Sequence, residues 1–295
     1  MLIYLLLVVS ILSAAVNNIA LHKYAEVDCR KNSCLFQFLV SCLWALILLL
    51  LERNFNFSRT TLSFGLLYGV TMAMFLYFKM MALGTGPIAI TSLVGSCSFL
   101  IPTFCGVFLW KESVTVLQIL GTGTLLISLF LTSKMNGGAS ISKKWIFWCV
   151  YFFCAAGING ILMAAFQKTN AAPETNLMLL TASLTAAVCY LLLFLTGHFR
   201  ASNREPLMPY LKAYLPKSLP YILICGLVSC CYQRLNLDLA GALPSVLFFP
   251  VFNGSVILLS SVTGWVFFRE KLTKVQILGL IMGFISILLI GNVIS

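Results

Sequence analysis

The chain has 295 residues, of which 60% are hydrophobic and only 9% are charged. Because a soluble domain carries about 25% charged residues, this composition excludes an ordinary soluble fold and indicates that lipid is the solvent. The formal net charge of +11 does not indicate a nucleic-acid partner, because the Lys and Arg residues punctuate apolar runs instead of forming a patch. The sequence therefore predicts an all-α integral membrane protein.

Ten apolar runs of spanning length follow one another along the chain, and each predicts a transmembrane helix. They are too long and too continuous for strands of a membrane barrel, which are about ten residues long and alternate in polarity. The first run lacks the basic start of a signal peptide, so we interpret it as an uncleaved helix. The predicted spans are 2–21, 33–51, 62–82, 88–110, 115–133, 145–167, 175–197, 219–240, 245–268 and 274–293.

Two polar segments interrupt this series of spans. The first, 132–144, separates the fifth span from the sixth and divides the chain into two sets of five. The second, 197–218, predicts a loop with a short interfacial piece around Tyr210–Tyr214, which the neighbouring prolines limit.

The Lys and Arg residues are distributed unequally between the two sides of the membrane that the ten spans define. Thirteen lie in the loops after the first, fifth, seventh and ninth spans, and five lie in the loops of the other side. The positive-inside rule then places the richer loops in the cytoplasm and both termini outside. Lys79 belongs to neither set, because it lies within the third span.

The first five spans and the last five share sequence features. The phrase WKESVTVLQILG at 110–121 returns as FREKLTKVQILG at 268–279, and AAVNNI at 14–19 resembles AGINGI at 156–161. Because five is odd, a second set of five must enter the membrane from the opposite face, which is the inverted repeat of many secondary transporters. We predict a first repeat over 1–133, a connecting loop over 134–144 and a second repeat over 145–295.

Each copy of the repeated phrase predicts the start of a helix. A Thr precedes a Gln by three residues, which is the capping-box pattern. An acid lies three residues before each Thr, where it suits the positive end of the helix, so we interpret Glu112 and Glu270 as structural. The two predicted capping pairs are Thr115 with Gln118 and Thr273 with Gln276.

At this point the chain resembles a known family. The segments ALGTGPIAITSLVGSCSFLIPTFCGVFLWKESVTVLQILG and LAGALPSVLFFPVFNGSVILLSSVTGWVFFREKLTKVQILG look like the EamA-like family of the drug/metabolite transporter superfamily. The resemblance implies ten helices in two inverted halves, with four from each half around a central cavity. Members of the superfamily move metabolites, amino acids, drugs or nucleotide sugars. Its eukaryotic nucleotide-sugar relatives keep their termini in the cytosol, opposite to the orientation that the charges predict here.

Polar side chains within the spans are the candidates for a substrate path, because in lipid they cost energy unless they face the protein or water. Asn17 and Asn18 in the first span and Asn159 in the sixth lie in the paired stretches AAVNNI and AGINGI. Their alternative role is hydrogen bonding between helices.

The third and eighth spans carry charged candidates, namely Lys79, Arg234, Asn236 and Asp238. Arg234 and Asp238 are spaced i,i+4, so one helix face can hold them as an ion pair. The alternative for Lys79 and Arg234 is to extend to the membrane interface, which is cheap near a helix end.

The ninth span carries Asn253 beside Pro250, a residue that can kink the helix toward a cavity. Ser96 is the counterpart of Asn253 in the fourth span, and its alternative is a bond to its own helix backbone. Gln37 and Asn176 are weaker candidates.

Small residues within the spans predict packing roles. The eleven Cys lie mostly in apolar runs and form no CxxC motif, so we interpret them as free packing residues. Gly65-x-x-x-Gly69 and Gly279-x-x-x-Gly283 predict close helix contacts. The two His residues fall in loops and join no nucleophile or ligand cluster. We therefore expect no enzyme activity, no cofactor and no metal site.

These features predict a secondary transporter that moves a small organic solute across the plasma membrane by alternating access. We expect a multi-pass protein of bacterial inner-membrane type, whose partners are the solute and the bilayer and include no nucleic acid. Monomer and homodimer both remain open. The alternatives are a flippase for lipid-linked substrates and an accessory subunit that does not transport. The first span has no acid, so facilitated diffusion or exchange fits as well as proton coupling through Asp238 or Glu174.

Overall fold

The computed structural model describes residues 2–27, 33–53, 55–133, 142–200, 207–268 and 273–291, and within these ranges the chain is helical, with no strand. Two 3-10 turns, Cys97–Phe99 and Ala172–Glu174, lie between the α-helices. The helices are α1 (Leu2–Val27), α2 (Ser33–Leu51), α3 (Arg59–Thr85), α4 (Ile88–Ser96), α5 (Leu100–Phe108), α6 (Val116–Thr132), α7 (Lys143–Gln167), α8 (Thr175–Arg200), α9 (Leu207–Ala242), α10 (Ser245–Phe268) and α11 (Lys274–Gly291).

The helices of the described ranges have the length and polarity of membrane spans. Nine are long and apolar enough to cross a bilayer, one of them formed by α4 and α5 together, and α6 is a shorter apolar helix. Large apolar side chains lie exposed along them, with Leu50 78% and Phe108 75% exposed. A bilayer covers such side chains without cost. The chain is therefore a helical, multi-pass membrane protein, as the composition predicts.

The helix starts predicted from the repeated phrase are confirmed. At α6 the Thr115 hydroxyl accepts from the Gln118 N–H at 3.3 Å, and the Gln118 side chain accepts from the Thr115 N–H at 3.1 Å. At α11 the same two bonds join Thr273 and Gln276, at 3.3 and 3.0 Å. Each pair satisfies two backbone donors that the first helical turn leaves open.

The loop predicted over 197–218 is wrong. Helix α8 continues to Arg200, and α9 begins at Leu207 and runs for 36 residues. At 1.5 Å per residue α9 is about 54 Å long, well beyond the ~30 Å of a hydrocarbon core. The predicted interfacial piece is thus the first part of a spanning helix.

Prolines do not end α9 because side-chain packing holds its first part. Pro216 and Pro220 lie inside the helix, where each removes one backbone bond. Tyr210 and Tyr214 offset this loss: their rings lie parallel at 6.2 Å and pack with Phe194 of α8. Packing outweighed the local signal on which the prediction rested.

The described helices form two compact units. Unit 1 contains residues 1–7, 74–169 and 237–295, and unit 2 contains residues 8–73 and 170–236. Each unit draws on both halves of the sequence. The predicted repeats are sequence units, and their boundaries stay a prediction.

Unit 1 is built around an antiparallel contact of α6 with α11. The Ser128 hydroxyl of α6 donates to the Gly279 carbonyl at 2.6 Å. A Cβ added at Gly279 would lie 2.9 Å from the Leu131 Cβ and 3.0 Å from the Thr132 nitrogen, so only Gly allows this approach. The predicted packing role of the Gly279 seam is confirmed.

Unit 2 is built around the contact of α2 with α8, and α3 packs closely on α8. A Cβ at Gly69 would lie 2.5 Å from the Ala182 carbonyl oxygen and 2.7 Å from the Thr185 Cβ. The Gly65–Gly69 seam therefore packs as predicted, since a larger residue would force the two helices apart.

Candidate functional site

Unit 2 contains a group of largely buried, uncharged polar side chains within its apolar helices, which we call the polar cluster. Helix α1 contributes two of them, α3 and α8 one each, and α9 four. In lipid such groups need partners inside the protein, because each unpaired group costs about 2–7 kcal/mol. The members are Ser10, Asn17, Tyr68, Tyr190, Ser229, Tyr232, Gln233 and Asn236.

Helices α1 and α9 are joined by two reciprocal hydrogen bonds, which we call the Ser–Asn clasp. The Ser10 hydroxyl donates to Asn236 Oδ1 at 2.5 Å, and the Ser229 hydroxyl donates to Asn17 Oδ1 at 3.1 Å. In each helix the Ser precedes the Asn by seven residues, so the two bonds lie about two turns apart on antiparallel helices. Asn17 and Asn236 are 7% and 4% exposed, so their oxygens are bound within the protein.

Three tyrosines extend the cluster from the clasp toward α3 and α8. Tyr232 lies beside Ser229, whose hydroxyl donates to Asn17 Oδ1. Tyr68 is 2% exposed and lies beside the side chain of Gln233. The Tyr190 hydroxyl donates to the Met72 carbonyl at 3.2 Å.

The polar cluster offers hydroxyl and amide groups, which both donate and accept hydrogen bonds, and no carboxylate or ammonium lies among its members. Phenol rings add apolar faces to the same group. The Asn17 and Asn236 oxygens already accept from Ser229 and Ser10 within the protein. The same bonds also hold α1, α3, α8 and α9 together, so the cluster has a packing role whatever else it does.

Some predicted site residues lie outside the cluster. Asn18, next to Asn17 on α1, is exposed, and Arg234, next to Gln233 on α9, is half-buried. Asp238 lies one turn after Arg234 on α9, where it is exposed and belongs to unit 1. Asn159 is half-buried on α7 of unit 1, so the structure assigns it to another unit than Asn17.

The remaining candidates of unit 1 contact their own helices. Lys79 is exposed on α3, with its Nζ 5.8 Å from the centroid of the Phe75 ring. Asn253 Nδ2 donates to the Phe249 carbonyl at 2.9 Å, and the Ser96 hydroxyl donates to the Ser92 carbonyl at 2.8 Å. For Ser96 this is the backbone bond that we named as its alternative role.

Glu112 caps a different helix from the one that its sequence position indicates. Its Oε1 accepts from the Ser245 hydroxyl at 3.0 Å, and its Oε2 accepts from the Val246 N–H at 3.1 Å, both in the first turn of α10. Lys168 Nζ lies 3.2 Å from Oε1 and 4.4 Å from the centroid of the Trp110 ring. The predicted structural role is right, but the helix is α10 and not α6. Glu270, the matching acid, lies outside the described residues.

A second carboxylate, Glu174, caps α3. Its Oε2 accepts from the Ser58 N–H at 3.0 Å and from the Thr61 hydroxyl at 2.5 Å. Asn176 Nδ2 donates to Glu52 Oε2 at 3.0 Å, so this weaker candidate binds an acid at the end of α2. Gln37 is half-buried on α2.

Across the described ranges, no three His, Cys, Asp or Glu side chains come together as metal ligands would. The described cysteines are free thiols.

Of the eight members of the polar cluster, only Asn17 and Asn236 were candidates from the sequence. Ser10, Tyr68 and Tyr190 were not candidates, because Ser is common in helices and Tyr is typical of membrane interfaces. The available signal was the equal spacing of Ser and Asn in α1 and α9, together with tyrosines far from the helix ends.

Comparison with known proteins bears on the fold alone. No family model and no curated protein matches the chain. Twenty-eight chains of solved structures match it. One of them, described only as "Crystal structure of protein", superposes with a TM-score of 0.71 at 12% identity, covering 98% of both chains. The likeness shows a shared helical fold and says nothing about activity.

Proposed function

We propose that the protein is a secondary transporter that moves a small organic solute across a membrane by alternating access. The observation that carries this proposal is the polar cluster, a set of buried, uncharged polar side chains within apolar helices. Transporters bind their solutes near the middle of the bilayer, at sites built from polar groups on spanning helices. An amino acid or another small metabolite has the hydrogen-bonding groups that such a cluster pairs with.

The architecture that we propose is two inverted five-helix repeats of the EamA-like, drug/metabolite transporter type. Two findings support it. The repeated phrase forms the same capping box at α6 and at α11, and these two helices pack against each other in antiparallel directions. An inverted pair of repeats relates two such helices by a two-fold axis in the membrane plane.

The solute gradient, or exchange against a second solute, is the driving force that fits best. The polar cluster has no acid, and Glu174 is engaged by α3. Asp238 is the remaining acid that we consider for proton coupling. We place the protein in the plasma membrane of a bacterial-type cell, with the Lys- and Arg-rich loops in the cytoplasm.

Flux from liposomes tests this function. Purified protein is reconstituted in liposomes loaded with a mixed metabolite pool, and efflux is followed by mass spectrometry with and without a pH gradient. We expect selective loss of one solute class, reduced about five-fold by Ser229→Ala, which removes a cluster bond of about 1 kcal/mol. Ser128→Ala is the matched control, because it removes a Ser hydroxyl that bonds another helix in unit 1.

The outcomes separate the alternatives. If folded protein releases no solute, the transporter proposal is overturned. The flippase and the accessory subunit then remain, and an assay with a lipid-linked substrate distinguishes them, because only the flippase moves it. Equal losses in Ser229→Ala and Ser128→Ala retain the transporter but remove the polar cluster as its site. A gradient effect that Asp238→Asn abolishes assigns the coupling to that residue.

A further inference from the structure

The first turn of α10, residues 245–249, is held from outside its own helix. It starts after Pro244, whose carbonyl accepts from Leu247 and Phe248 at 3.0 and 2.9 Å. Its outer donors, the Ser245 hydroxyl and the Val246 N–H, are bound by the carboxylate of Glu112, which is more than 130 residues away in sequence. An interaction with another segment thus replaces the local cap of an ordinary helix.

A proline, Pro250, directly follows this turn. In a regular helix the Val246 carbonyl accepts from the N–H of residue 250, but Pro250 has no N–H to donate. The Val246 N–H therefore donates to Glu112, and the Val246 carbonyl lacks the donor that a regular helix supplies at residue 250. Asn253 Nδ2 donates to the Phe249 carbonyl at 2.9 Å, so this bond joins the residue before Pro250 to the turn that follows it.

The segment that presents Glu112 is itself fixed. Lys111 has a positive φ of 53°, a left-handed conformation that a residue other than Gly adopts only when its surroundings impose it. Lys168 contacts both the Glu112 carboxylate and the face of Trp110. A Cβ at Gly106 would lie 2.7 Å from Glu112 Oε2, so the space for the carboxylate depends on this glycine.

We propose that residues 245–249 form a hinged turn that Glu112 latches, and that Glu112 is thereby a positioning residue for transport. Glu112 holds one end of the turn, and Pro250 loosens the other. Opening the latch frees the turn to pivot without unfolding the rest of α10, which carries the candidate Asn253. The role in transport rests on the proposed function, but the latch and the hinge are properties of unit 1 alone.

Hydrogen–deuterium exchange of the full-length protein in nanodiscs tests the latch without requiring transport. The wild type, Glu112→Gln, Pro250→Ala and the double variant are compared at residues 245–249. Glu112→Gln replaces a charge-assisted acceptor by a neutral one, so we expect exchange of this segment to be about ten-fold faster. In the Pro250→Ala background the helix holds Val246 itself, and we expect the increase to fall to about three-fold or less.

The double-mutant comparison distinguishes a latch on a hinge from a simple cap. Equal increases in the two backgrounds overturn the proposal, as does no increase in Glu112→Gln. If Pro250→Ala does not fold, Pro250→Leu, which also restores the missing N–H, takes its place in the same comparison. Glu174→Gln is the control variant, and its effect should be confined to the start of α3.

A second measurement examines the role in transport. In flux assays Glu112→Gln should change the maximal rate several-fold while the half-saturating solute concentration changes less, because the carboxylate is not in the polar cluster. Glu112→Asp, which keeps the charge, should recover part of the rate. A rate equal to that of the wild type overturns the positioning role, even if the exchange result supports the latch. If the wild type moves no solute, the proposed function fails and the exchange experiment still decides the latch.

Discussion

Two carboxylates cap helices in this protein, one in each unit, and they differ in what else holds the capped helix. Glu174 binds the start of α3, where Ser58 already caps the helix locally: the Ser58 hydroxyl accepts from the Thr61 N–H at 3.1 Å. Glu112 binds the start of α10, which follows Pro244, a residue with no side-chain acceptor. The same chemical group therefore reinforces one helix end and is required at the other.

The partners of the two carboxylates differ as well. Glu112 pairs with Lys168 and is only 12% exposed, so its charge is neutralised within the protein. The bonds described for Glu174 come from a backbone N–H and a hydroxyl. Removing Glu112 leaves two helix donors without their acceptor, whereas the Lys168 ammonium, which is 40% exposed, stays solvated. Removing Glu174 leaves donors that Ser58 still partly serves.

The largest expected effect is that of Glu112→Ala. Loss of the carboxylate leaves the Ser245 hydroxyl and the Val246 N–H without an acceptor in a buried turn, so we expect the free energy of unfolding to fall by about 3 kcal/mol. Denaturant unfolding of the full-length protein in mixed micelles measures it. A fall of less than about 1 kcal/mol would show that α10 holds its own first turn.

An intermediate effect is expected from Glu174→Ala. Because Ser58 remains as the local cap, we expect a loss of about 1–2 kcal/mol, measured in the same way. Ser58→Ala alone should cost about 1 kcal/mol, and the double variant should cost more than the two losses added together. If Glu174→Ala costs as much as Glu112→Ala, the contrast between the two helix ends is wrong.

The smallest effect is expected from Lys168→Met. The Lys168 side chain is 40% exposed, so solvent screens its ion pair, and Met keeps an apolar contact with the Trp110 ring. We expect a loss below about 1 kcal/mol that shrinks further in high salt. A loss that is large and independent of salt would assign the stability of this region to the lysine and not to the helix cap.

Local sequence patterns were sufficient to predict where helices begin, but not which distant segment a side chain near a helix start would contact. Thr115 and Gln118 form a local pair, so a pattern of four residues is sufficient to predict it. Glu112 carries the same kind of signal, an acid near a helix start, yet it binds a helix 133 residues further along the chain. Nothing local distinguishes the two cases, because the partner is chosen by tertiary packing.

The candidate site was predictable only where its residues are rare in lipid. Asn17 and Asn236 stand out in apolar spans, and both belong to the polar cluster. Tyr68 and Tyr190 also lie in the cluster, but tyrosine is common at membrane interfaces. Whether a tyrosine lies at the interface or deep in the membrane depends on where its helix begins, which the sequence predicts only to within a few residues. The length of α9 was missed for a related reason, because Pro216 and Pro220 resemble a break when the aromatic packing beside them is not known.

The Ser–Asn clasp has a mechanical consequence. Its two bonds are about 10 Å apart along the helix axes, and both link the same pair of antiparallel segments. Sliding α1 along α9 by even half a turn would break both bonds at once, and twisting one helix against the other would break at least one. The two bonds therefore fix the register of residues 10–17 against residues 229–236 within unit 2. A motion of the unit that keeps both bonds moves the two segments together.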